Sequence, residues 1–320
     1  MKTIGVLTSG GDAPGMNAAV RAAVRGAISR GLTVKGIYKG YAGLMSGEIK
    51  ELDARAVSDI VNKGGTDLFS ARCLEFKTEE GMQKAIDTCK KEGIDGIVVI
   101  GGDGSFRGAR DLSLRGIPCI GVPGTIDNDI ASTEYTIGYD TAMNTVAELI
   151  DKLRDTCRSH ARCSVVEVMG RHAGHLALET GLSCGAIAVL VPELNQNPDI
   201  EVIEKIKTVR KTGKEHFIVV VAEGVGGSVE LAKKIEAETG IETRATIIGH
   251  PQRGGAPTVR DRVMATKMAD YAVDLLANGI GNRVVTCNNN VIGDKDIFEA
   301  LNMTKGLDMA LFDMAERLAI

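Results

Sequence analysis

The stretch IPCIGVPGTIDND, residues 117–129, joins a short apolar run to a loop that carries two carboxylates. Residues 117–122 are typical of a buried strand in a parallel sheet, and the residues from Pro123 to Asp129 favour a turn. Open α/β sheets bind ligands in the loops that leave the carboxyl ends of their strands. A loop rich in Asn and Asp also forms for purely local reasons. Whether this loop carries function therefore depends on the rest of the chain.

Short apolar runs of this kind alternate along the chain with segments of helical period. Apolar side chains share one helical face in residues 16–30 and 139–156, which predicts two long helices. Strands that alternate with helices indicate parallel sheets with right-handed crossovers. Nine strands are more than a single sheet usually contains. We therefore expect an α/β protein with two three-layer, Rossmann-like domains and mostly parallel sheets. The predicted strands cover residues 3–8, 33–38, 96–101, 117–122, 163–168, 186–191, 217–222, 245–248 and 283–287.

The composition is that of an ordinary globular protein: of 320 residues, 44% are hydrophobic and 25% charged, and the net charge is −4. The acidic balance and the aromatic content of 3%, without Trp, argue against a nucleic-acid surface. The seven Cys residues form no C-x-x-C pair, which favours reduced thiols. The N-terminus lacks signal-peptide features, and no apolar run approaches the roughly 20 residues that cross a bilayer. We expect a cytoplasmic protein without nucleic-acid or membrane partners.

Two predicted strands end in glycine-rich loops that also carry a carboxylate. These loops are SGGDAPG (residues 9–15) and GGDGS (residues 101–105), and a helical pattern follows each. Glycines let backbone N–H groups approach a ligand, and a helix N-terminus favours anions. Asp103 suits a Mg²⁺ ion on a nucleotide polyphosphate, because Mg²⁺ takes one or two carboxylates together with phosphate oxygens. Both loops are also consistent with a capped turn, with Asp12 as the capping residue in the first loop.

Two later loops, MGRHAG (169–174) and GHPQRGG (249–255), put cations beside glycines at predicted strand ends. Another predicted strand ends at Glu223, an acid suited to sugar hydroxyls. Arg offers fork-shaped donors that match phosphate oxygens. A single surface Arg is more often an ion-pair partner, but several beside two acidic loops indicate an anion site.

Together these groups are those that phosphoryl transfer requires, where catalysis is mostly positioning and charge neutralisation. We predict that Asp127 is the general base. Thr125 and Asp129 would orient it or the metal, and Arg171 would stabilise the charge that develops on the transferred group.

Seven motifs in this order resemble those of the bacterial ATP-dependent 6-phosphofructokinase family, and the resemblance extends from Ile4 to the C-terminal helix. PGTIDND and GHPQRGG are highly specific, whereas GGDG alone also occurs in NAD and lipid kinases. The motifs are TSGGDAPGMNAA, ARCLEF, GGDGS, PGTIDND, MGRHAG, VAEGVG and GHPQRGG.

The resemblance implies transfer of the γ-phosphoryl group of ATP to the 1-hydroxyl of fructose 6-phosphate, with Mg²⁺ bridging the phosphates and Asp127 as base. It also places Gly11 and Arg72 at the catalytic centre. The implied ATP and metal residues are Gly11, Arg72, Cys73, Gly102, Asp103, Gly104 and Ser105, with Asp103 on Mg²⁺. The implied sugar-phosphate residues are Thr125, Ile126, Asp127, Met169, Gly170, Arg171, Glu223, His250, Pro251, Gln252 and Arg253, with Arg162 and Arg244 from a neighbouring subunit.

The same resemblance implies a homotetramer with shared active sites. Residues 1–138 with 252–303 would form the larger, ATP-binding domain, and residues 139–251 with 304–320 the smaller, fructose-6-phosphate-binding domain. The active site would lie in the cleft between the two domains.

An effector site for ADP or phosphoenolpyruvate is implied between subunits, but the match there is imperfect. Ile187 stands where relatives often have Glu, Thr212 where a Lys is common, and Ala54 where an Arg occurs in relatives. The charges of nearby Arg55 and Lys211 are candidates to compensate. The implied effector residues are Arg21, Arg25, Asp59, Arg154, Gly185 and Lys214.

The choice of phosphoryl donor depends on Gly104 and Gly124. Relatives that use pyrophosphate carry Asp and Lys at these positions, and the Asp would repel an α-phosphate. Both glycines therefore favour ATP. The alternatives are a pyrophosphate-dependent enzyme and a catalytically weak nucleotide-sensing relative, although Asp103, Asp127 and Arg171 are all retained. A Rossmann oxidoreductase would require a G-x-G-x-x-G motif, which this chain does not have. Membership of the NAD or lipid kinases would leave the PGTIDND motif unexplained.

Overall fold

The chain forms two compact units in a computed structural model that describes residues 1–320. Each unit is assembled from segments that are distant in sequence, so the chain passes between the units several times. Unit 1 comprises Met1–Ile126, Ile130–Thr141 and Arg253–Lys305, and unit 2 comprises Asp127–Asp129, Ala142–Gln252 and Gly306–Ile320.

Eleven strands and eleven α-helices make up the two units. The strands are β1 (Thr3–Thr8), β2 (Thr33–Ile37), β3 (Ile49–Glu51), β4 (Gly96–Gly101), β5 (Cys119–Pro123), β6 (Cys163–Val168), β7 (Ala188–Leu190), β8 (Phe217–Ala222), β9 (Thr243–Ile247), β10 (Arg283–Asn288) and β11 (Val291–Asp296). The helices are α1 (Met16–Ser29), α2 (Gly40–Ser46), α3 (Glu79–Glu92), α4 (Asp103–Ser113), α5 (Tyr139–His160), α6 (His175–Ser183), α7 (Lys205–Arg210), α8 (Ser228–Thr239), α9 (Val259–Ala277), α10 (Ile297–Asn302) and α11 (Met309–Leu318).

Unit 1 contains a seven-stranded sheet in the order β11-β10-β5-β4-β1-β2-β3. The five central strands are parallel, and the edge strands β3 and β11 pair antiparallel with their neighbours. β4, with the sequence GIVVIG, is buried at every residue. A continuous apolar run is what a strand covered on both faces requires.

Unit 2 contains a four-stranded sheet in the order β7-β8-β6-β9, and all its pairs are parallel. β8, FIVVVA, is buried throughout, and Phe217 lies in the apolar core of this unit together with Val165 and Ile206. None of the helices in the structure has the apolar run that a membrane-spanning segment requires.

The predicted α/β class with mostly parallel sheets is confirmed, and all nine predicted strands form. The sequence pattern failed for the two antiparallel edge strands. β3 has only three residues, and β11 has the polar sequence VIGDKD, of which no residue is buried. Neither offers the apolar run by which the other nine strands were predicted.

Candidate active site

Three loops of unit 1 leave the sheet at one edge, because β1, β4 and β5 are neighbouring parallel strands. Backbone hydrogen bonds join these loops. The N–H of Ser9 donates to the carbonyl of Ile100 at 2.9 Å, and the N–H of Gly124 donates to that of Gly101, also at 2.9 Å. The structure thus brings together three predicted segments, around Gly11, Gly102–Ser105 and Thr125.

The loop at residues 9–15 is packed against Arg253. A Cβ atom built at Gly11 would lie 2.5 Å from Nη1 of Arg253. The same Nη1 donates a hydrogen bond to the carbonyl of Asp12 at 3.1 Å. The N-cap of α1 is Gly15, with φ of 103° and no side-chain cap hydrogen bond. The alternative in which Asp12 caps this helix is therefore wrong.

Asp103 is the first residue of α4, and its side chain pairs with Arg107 one turn later. Nε of Arg107 lies 2.9 Å from Oδ2 of Asp103, and Nη2 lies 3.4 Å from Oδ1. The N-cap of α4 is Gly102, without a side-chain cap hydrogen bond, so Asp103 is not a capping residue either. A Cβ atom built at Gly104 would have no neighbour within 4 Å.

The residues around Asp103 fit a Mg²⁺ ion only if a nucleotide completes the coordination. No group of three or more His, Cys, Asp or Glu side chains is arranged as a metal site. The side chain of Asp103 is 43% exposed and offers one carboxylate. Mg²⁺ bound through one carboxylate, phosphate oxygens and water is consistent with that arrangement.

Arg72 and Cys73 lie in a segment of unit 1 that forms neither helix nor strand. Arg72 is exposed and makes no side-chain hydrogen bond or ion pair, so its guanidinium is available for an anion. Cys73 is half-buried, with its Sγ 3.6 Å from Sδ of Met45. The hydroxyl of Ser70 donates to the carbonyl of Gly10 at 2.5 Å, which ties this segment to the loop after β1.

The loop after β5 is mostly buried. Thr125 and Asp127 are 7% and 6% exposed, and Ile126 is fully buried. The hydroxyl of Thr136 donates to the carbonyl of Thr125 at 2.7 Å. A carboxylate this well enclosed is unusual unless it is used or compensated. Asp129 is half-buried, and both predicted carboxylates of this loop belong to unit 2.

In unit 2 the loop after β6 has an unusual backbone at the predicted transition-state arginine. Arg171 has φ of 59° and follows Gly170, whose φ is 136°. Left-handed backbone is uncommon for a residue with a side chain and is found often at functional sites. Two neighbours hold it: Oε1 of Glu223 accepts from the N–H of Arg171 at 2.7 Å, and a Cβ atom at Gly224 would lie 2.5 Å from the carbonyl oxygen of Arg171.

The turn before α9 joins the same loop through Gln252, which is fully buried. Its Oε1 accepts from the N–H of Met169 at 3.1 Å, and its Nε2 donates to the carbonyl of Gly249 at 2.9 Å. His250 and Pro251 are exposed on the short 3-10 helix that contains Gln252. Gln252 therefore acts here as a link between two loops of unit 2.

Arg162 and Arg244 lie close together in unit 2. Both make ion pairs with Glu242, at 2.7 Å each. The side chains of the two arginines are 29% and 72% exposed. Glu242 was not among the residues predicted from the sequence.

The predicted effector residues divide between the units: Arg21, Arg25 and Asp59 belong to unit 1, and Arg154, Gly185 and Lys214 to unit 2. Arg25 donates to the carbonyl of Ala54 at 3.1 Å. Arg154 donates to the carbonyl of Cys184, next to Gly185.

Near Arg154, desolvation and the charge of that arginine lower the pKa of Lys214. Desolvation, followed by the charges of Arg154, Lys214 and Arg158, lowers the pKa of His216. Uncompensated positive charge of this kind favours an anion.

Two further residues beside the predicted loops were missed, and only the first, Arg107, carried a sequence signal. Arg107 follows Asp103 at the i,i+4 spacing of a helical ion pair. Glu193 accepts a hydrogen bond from the N–H of Gly174 at 2.7 Å, at the start of α6, where a helix N-terminus favours a carboxylate.

Strand-end loops rich in glycine, carboxylates and arginines on parallel α/β sheets define a class of proteins that bind phosphorylated ligands. A family model described as phosphofructokinase matches residues 3–276. The chain belongs to the phosphofructokinase family.

The curated relatives match over essentially the full length. A protein of Bacillus subtilis (strain 168) named ATP-dependent 6-phosphofructokinase is 54% identical over 320 residues, covering 100% of both chains. A protein of Clostridium botulinum with the same name is 56% identical over 315 residues, covering 98% of each chain.

Among solved structures, phosphofructokinase from Saccharomyces cerevisiae superimposes with a TM-score of 0.89 at 34% identity. The match covers 100% of this chain and 48% of the yeast chain, so this chain spans about half its length. A pyrophosphate-dependent phosphofructokinase from Marinobacter aquaeolei has a TM-score of 0.86 at 22% identity, covering 97% of this chain and 86% of that one. The similarity to the Marinobacter aquaeolei enzyme shows a shared fold and nothing more.

Proposed function

We propose that this chain is an ATP-dependent 6-phosphofructokinase that transfers the γ-phosphoryl group of ATP to the 1-hydroxyl of fructose 6-phosphate. The observation that carries the proposal is the common edge of β1, β4 and β5, where Gly11, Asp103 and Thr125 follow three adjacent strand ends. Full-length identity of 54% to a relative of that name supports the same activity. On these grounds we also propose a cytoplasmic glycolytic enzyme.

Nucleotide binding is assigned to the glycine loops of unit 1. The backbone N–H groups of Gly11, Gly102, Asp103 and Gly104 are the candidate donors to a polyphosphate, and the N-terminus of α4 adds a favourable dipole. Arg72, exposed and without a partner, supplies a further cation. Cys73 is assigned to the edge of the nucleotide site. Asp103 would hold Mg²⁺, which would supply positive charge to offset that of the phosphate groups.

Sugar-phosphate binding is assigned to unit 2 and to Arg253. Glu223 has one carboxylate oxygen on the N–H of Arg171, which leaves its other oxygen for a sugar hydroxyl. Arg162, Arg244 and Arg253 carry the charges that a sugar phosphate requires. The other residues assigned here are Ile126, Met169, Gly170, His250, Pro251 and Gln252.

The chemical step needs a base for the acceptor hydroxyl and a cation for the transferred group. Asp127 is assigned to accept the proton of the 1-hydroxyl while the hydroxyl oxygen attacks the γ-phosphorus. The bond between that phosphorus and the β–γ bridging oxygen breaks, and ADP leaves. Thr125 and Asp129 position that carboxylate. Arg171 stabilises the charge that spreads over the phosphoryl oxygens, and its constrained backbone limits the orientations of its side chain.

We further propose a homotetramer with shared sites, to which Arg162 and Arg244 contribute from a neighbouring subunit. ADP and phosphoenolpyruvate are the proposed effectors, at Arg21, Arg25, Asp59, Arg154, Gly185 and Lys214. Ile187 is fully enclosed in the apolar core of unit 2, so it is no ligand for an effector-bound metal.

The experiment that tests the proposal is a coupled assay of purified protein with fructose 6-phosphate and either ATP or pyrophosphate. We expect turnover with ATP and Mg²⁺, and less than about one per cent of that rate with pyrophosphate. Repeating the assay with ADP and with phosphoenolpyruvate tests the effector site. Turnover with pyrophosphate alone would overturn the donor assignment, and no turnover with either donor would overturn the activity.

A further inference from the structure

Glu242 lies between two arginines that are assigned to the sugar phosphate. Its Oε2 accepts from Nε of Arg162 at 2.7 Å. Its Oε1 accepts from Nε and Nη2 of Arg244 at 3.1 and 2.7 Å. One carboxylate therefore bridges two guanidinium groups, with one oxygen directed to each.

The strand geometry explains why these three side chains meet. β6 and β9 are parallel neighbours with Cys163 opposite Thr243, so Arg162 and Glu242, one residue earlier on each chain segment, are also opposite. The N–H of Cys163 donates to the carbonyl of Glu242 at 3.0 Å, which fixes this register. Glu242 and Arg244 are two residues apart, and such residues share one face of a strand.

The bridge leaves both arginines able to bind an anion. A guanidinium has five N–H donors. Arg162 uses one of them on Glu242, and Arg244 uses two. The two arginines, Arg244 first, lower the pKa of Glu242, so its carboxylate stays ionised near neutral pH. One negative charge between two positive ones leaves a net positive face toward a phosphate.

We propose that Glu242 is a positioning residue that holds Arg162 and Arg244 in one orientation, as a two-armed clamp for the phosphate of the sugar substrate. This inference rests on the proposed function. Long side chains lose rotamer freedom when they bind a ligand, and this loss weakens affinity. The carboxylate imposes that order before the substrate arrives. Because both arginines act on binding and not on the chemical step, Glu242 affects KM for fructose 6-phosphate and leaves kcat largely unchanged.

The test compares Glu242→Ala with Glu242→Gln in steady-state assays. For the alanine variant we expect KM for fructose 6-phosphate to rise about tenfold, because two arginine side chains then become ordered only on binding. We expect kcat within about twofold and KM for ATP unchanged. Glutamine keeps one acceptor oxygen for one arginine and presents an amide group to the other, so its KM should lie between those of the wild type and the alanine variant.

A matched control is Glu48→Ala, which removes another exposed ion pair. Glu48 pairs with Lys39 at 2.7 Å, and its side chain is 44% exposed against 37% for Glu242. Neither Glu48 nor Lys39 is assigned to a ligand, so all kinetic constants should stay at wild-type values. Binding of fructose 6-phosphate without ATP, measured by calorimetry, should rank the four proteins in the same order as KM.

The outcomes separate this inference from the proposed function. A KM for fructose 6-phosphate that is unchanged or lower in Glu242→Ala overturns the inference, since a lower value means that the carboxylate merely competes with phosphate. If the alanine variant does not fold, the glutamine variant decides in the same way. Absence of turnover and of calorimetric binding in the wild type would instead overturn the proposed function itself.

Discussion

The guanidinium of Arg253 lies against the main chain of Gly11, where a Cβ atom would come within 2.5 Å of its Nη1. Nη1 also donates to the carbonyl of the next residue, Asp12, at 3.1 Å. Gly11 is assigned to ATP and Arg253 to the sugar phosphate. Because of this contact, a side chain at position 11 would affect both proposed binding sites: it occupies the ATP site itself, and it forces Arg253 to move.

Gly11→Ala should therefore raise KM for both substrates. We expect at least a fivefold increase for fructose 6-phosphate, because Arg253 loses its position, and a comparable increase for ATP. Arg253→Ala should raise only KM for fructose 6-phosphate. Steady-state assays with each substrate varied in turn give both constants.

The control for that pair is Gly306→Ala, where a Cβ atom meets nothing within 4 Å. This variant should behave as wild type. If Gly11→Ala changes KM for ATP alone, the proposed link through Arg253 is wrong.

Asp127→Ser removes the assigned base, whose residue is only 6% exposed. We expect kcat to fall by roughly 10²–10⁴-fold, because general-base catalysis contributes about that much. KM for fructose 6-phosphate should stay nearly unchanged, since the proton is transferred only in the transition state. Asp87→Ser, a change at an exposed carboxylate on α3, serves as the control. A serine variant within tenfold of the wild-type kcat would remove Asp127 from this role.

The fold followed from the sequence wherever strands are buried on both faces. β4 and β8 are continuous apolar runs, a pattern typical of strands that are covered by helices on each side of a parallel sheet. β11 escaped prediction because an exposed edge strand needs no apolar pattern, only a neighbour such as β10 to pair with. Such pairing depends on which strands become neighbours in the fold, and the local residue pattern does not reveal this.

The candidate site was found from the sequence where one rule sufficed, namely that loops after parallel strands are where such folds bind ligands. The loops around Gly11, Asp103 and Thr125 follow it. Glu242 could not be found in this way, because its role depends on the register between β6 and β9. The chain passes between the units between Gln252 and Arg253, where composition gives no signal. The expected boundary after residue 251, one residue away, came from the family resemblance alone.

Gly104→Asp tests the choice of donor by charge. The Cβ position at Gly104 has no neighbour within 4 Å, so an aspartate fits without a clash at that atom. A fall in ATP use would then reflect repulsion of an α-phosphate by the new carboxylate. We expect ATP turnover to become undetectable, with the melting temperature within about 2 °C of wild type. The uncharged Gly104→Asn is the matched control and should retain more ATP turnover than the aspartate variant. Normal ATP kinetics in Gly104→Asp would contradict the donor assignment.

Asp261→Asn tests the polar core of unit 1. Asp261 is fully buried and accepts hydrogen bonds from the N–H groups of Gly138 and Thr141, both at 2.8 Å, and from the hydroxyls of Tyr135 and Thr141. An asparagine puts an NH₂ group where donors already point, which leaves buried donors unsatisfied at about 1–3 kcal/mol each.

We expect the melting temperature of Asp261→Asn to fall by about 5 °C or more. The control Asp270→Asn removes an exposed partner of Arg30 and should change it little, because exposed pairs contribute about 1 kcal/mol or less. Equal melting temperatures for the two variants would mean that Asp261 is not needed for the core.

The pH dependence of stability should reveal the positive cluster of unit 2. Desolvation, then the charges of Arg154, Lys214 and Arg158, lowers the pKa of His216 below its usual 6.5. Protonation therefore favours the unfolded state. The neutral imidazole contributes stability that is fully present above about pH 6.5 and is lost as the pH falls through the lower folded-state pKa.

The measurement is the difference in melting temperature between wild type and His216→Gln at pH 7.5 and at pH 5.5. We expect the melting temperature of the wild type, relative to that of His216→Gln, to be lower at pH 5.5 than at pH 7.5. The reason is that only the wild type takes up the extra proton on unfolding. His160→Gln is the control, since His160 is exposed at the end of α5. If ADP binds beside Arg154 and Lys214, its phosphates offset the repulsion, and saturating ADP should reduce the shift. A difference that stays constant with pH would show that His216 does not sense this cluster.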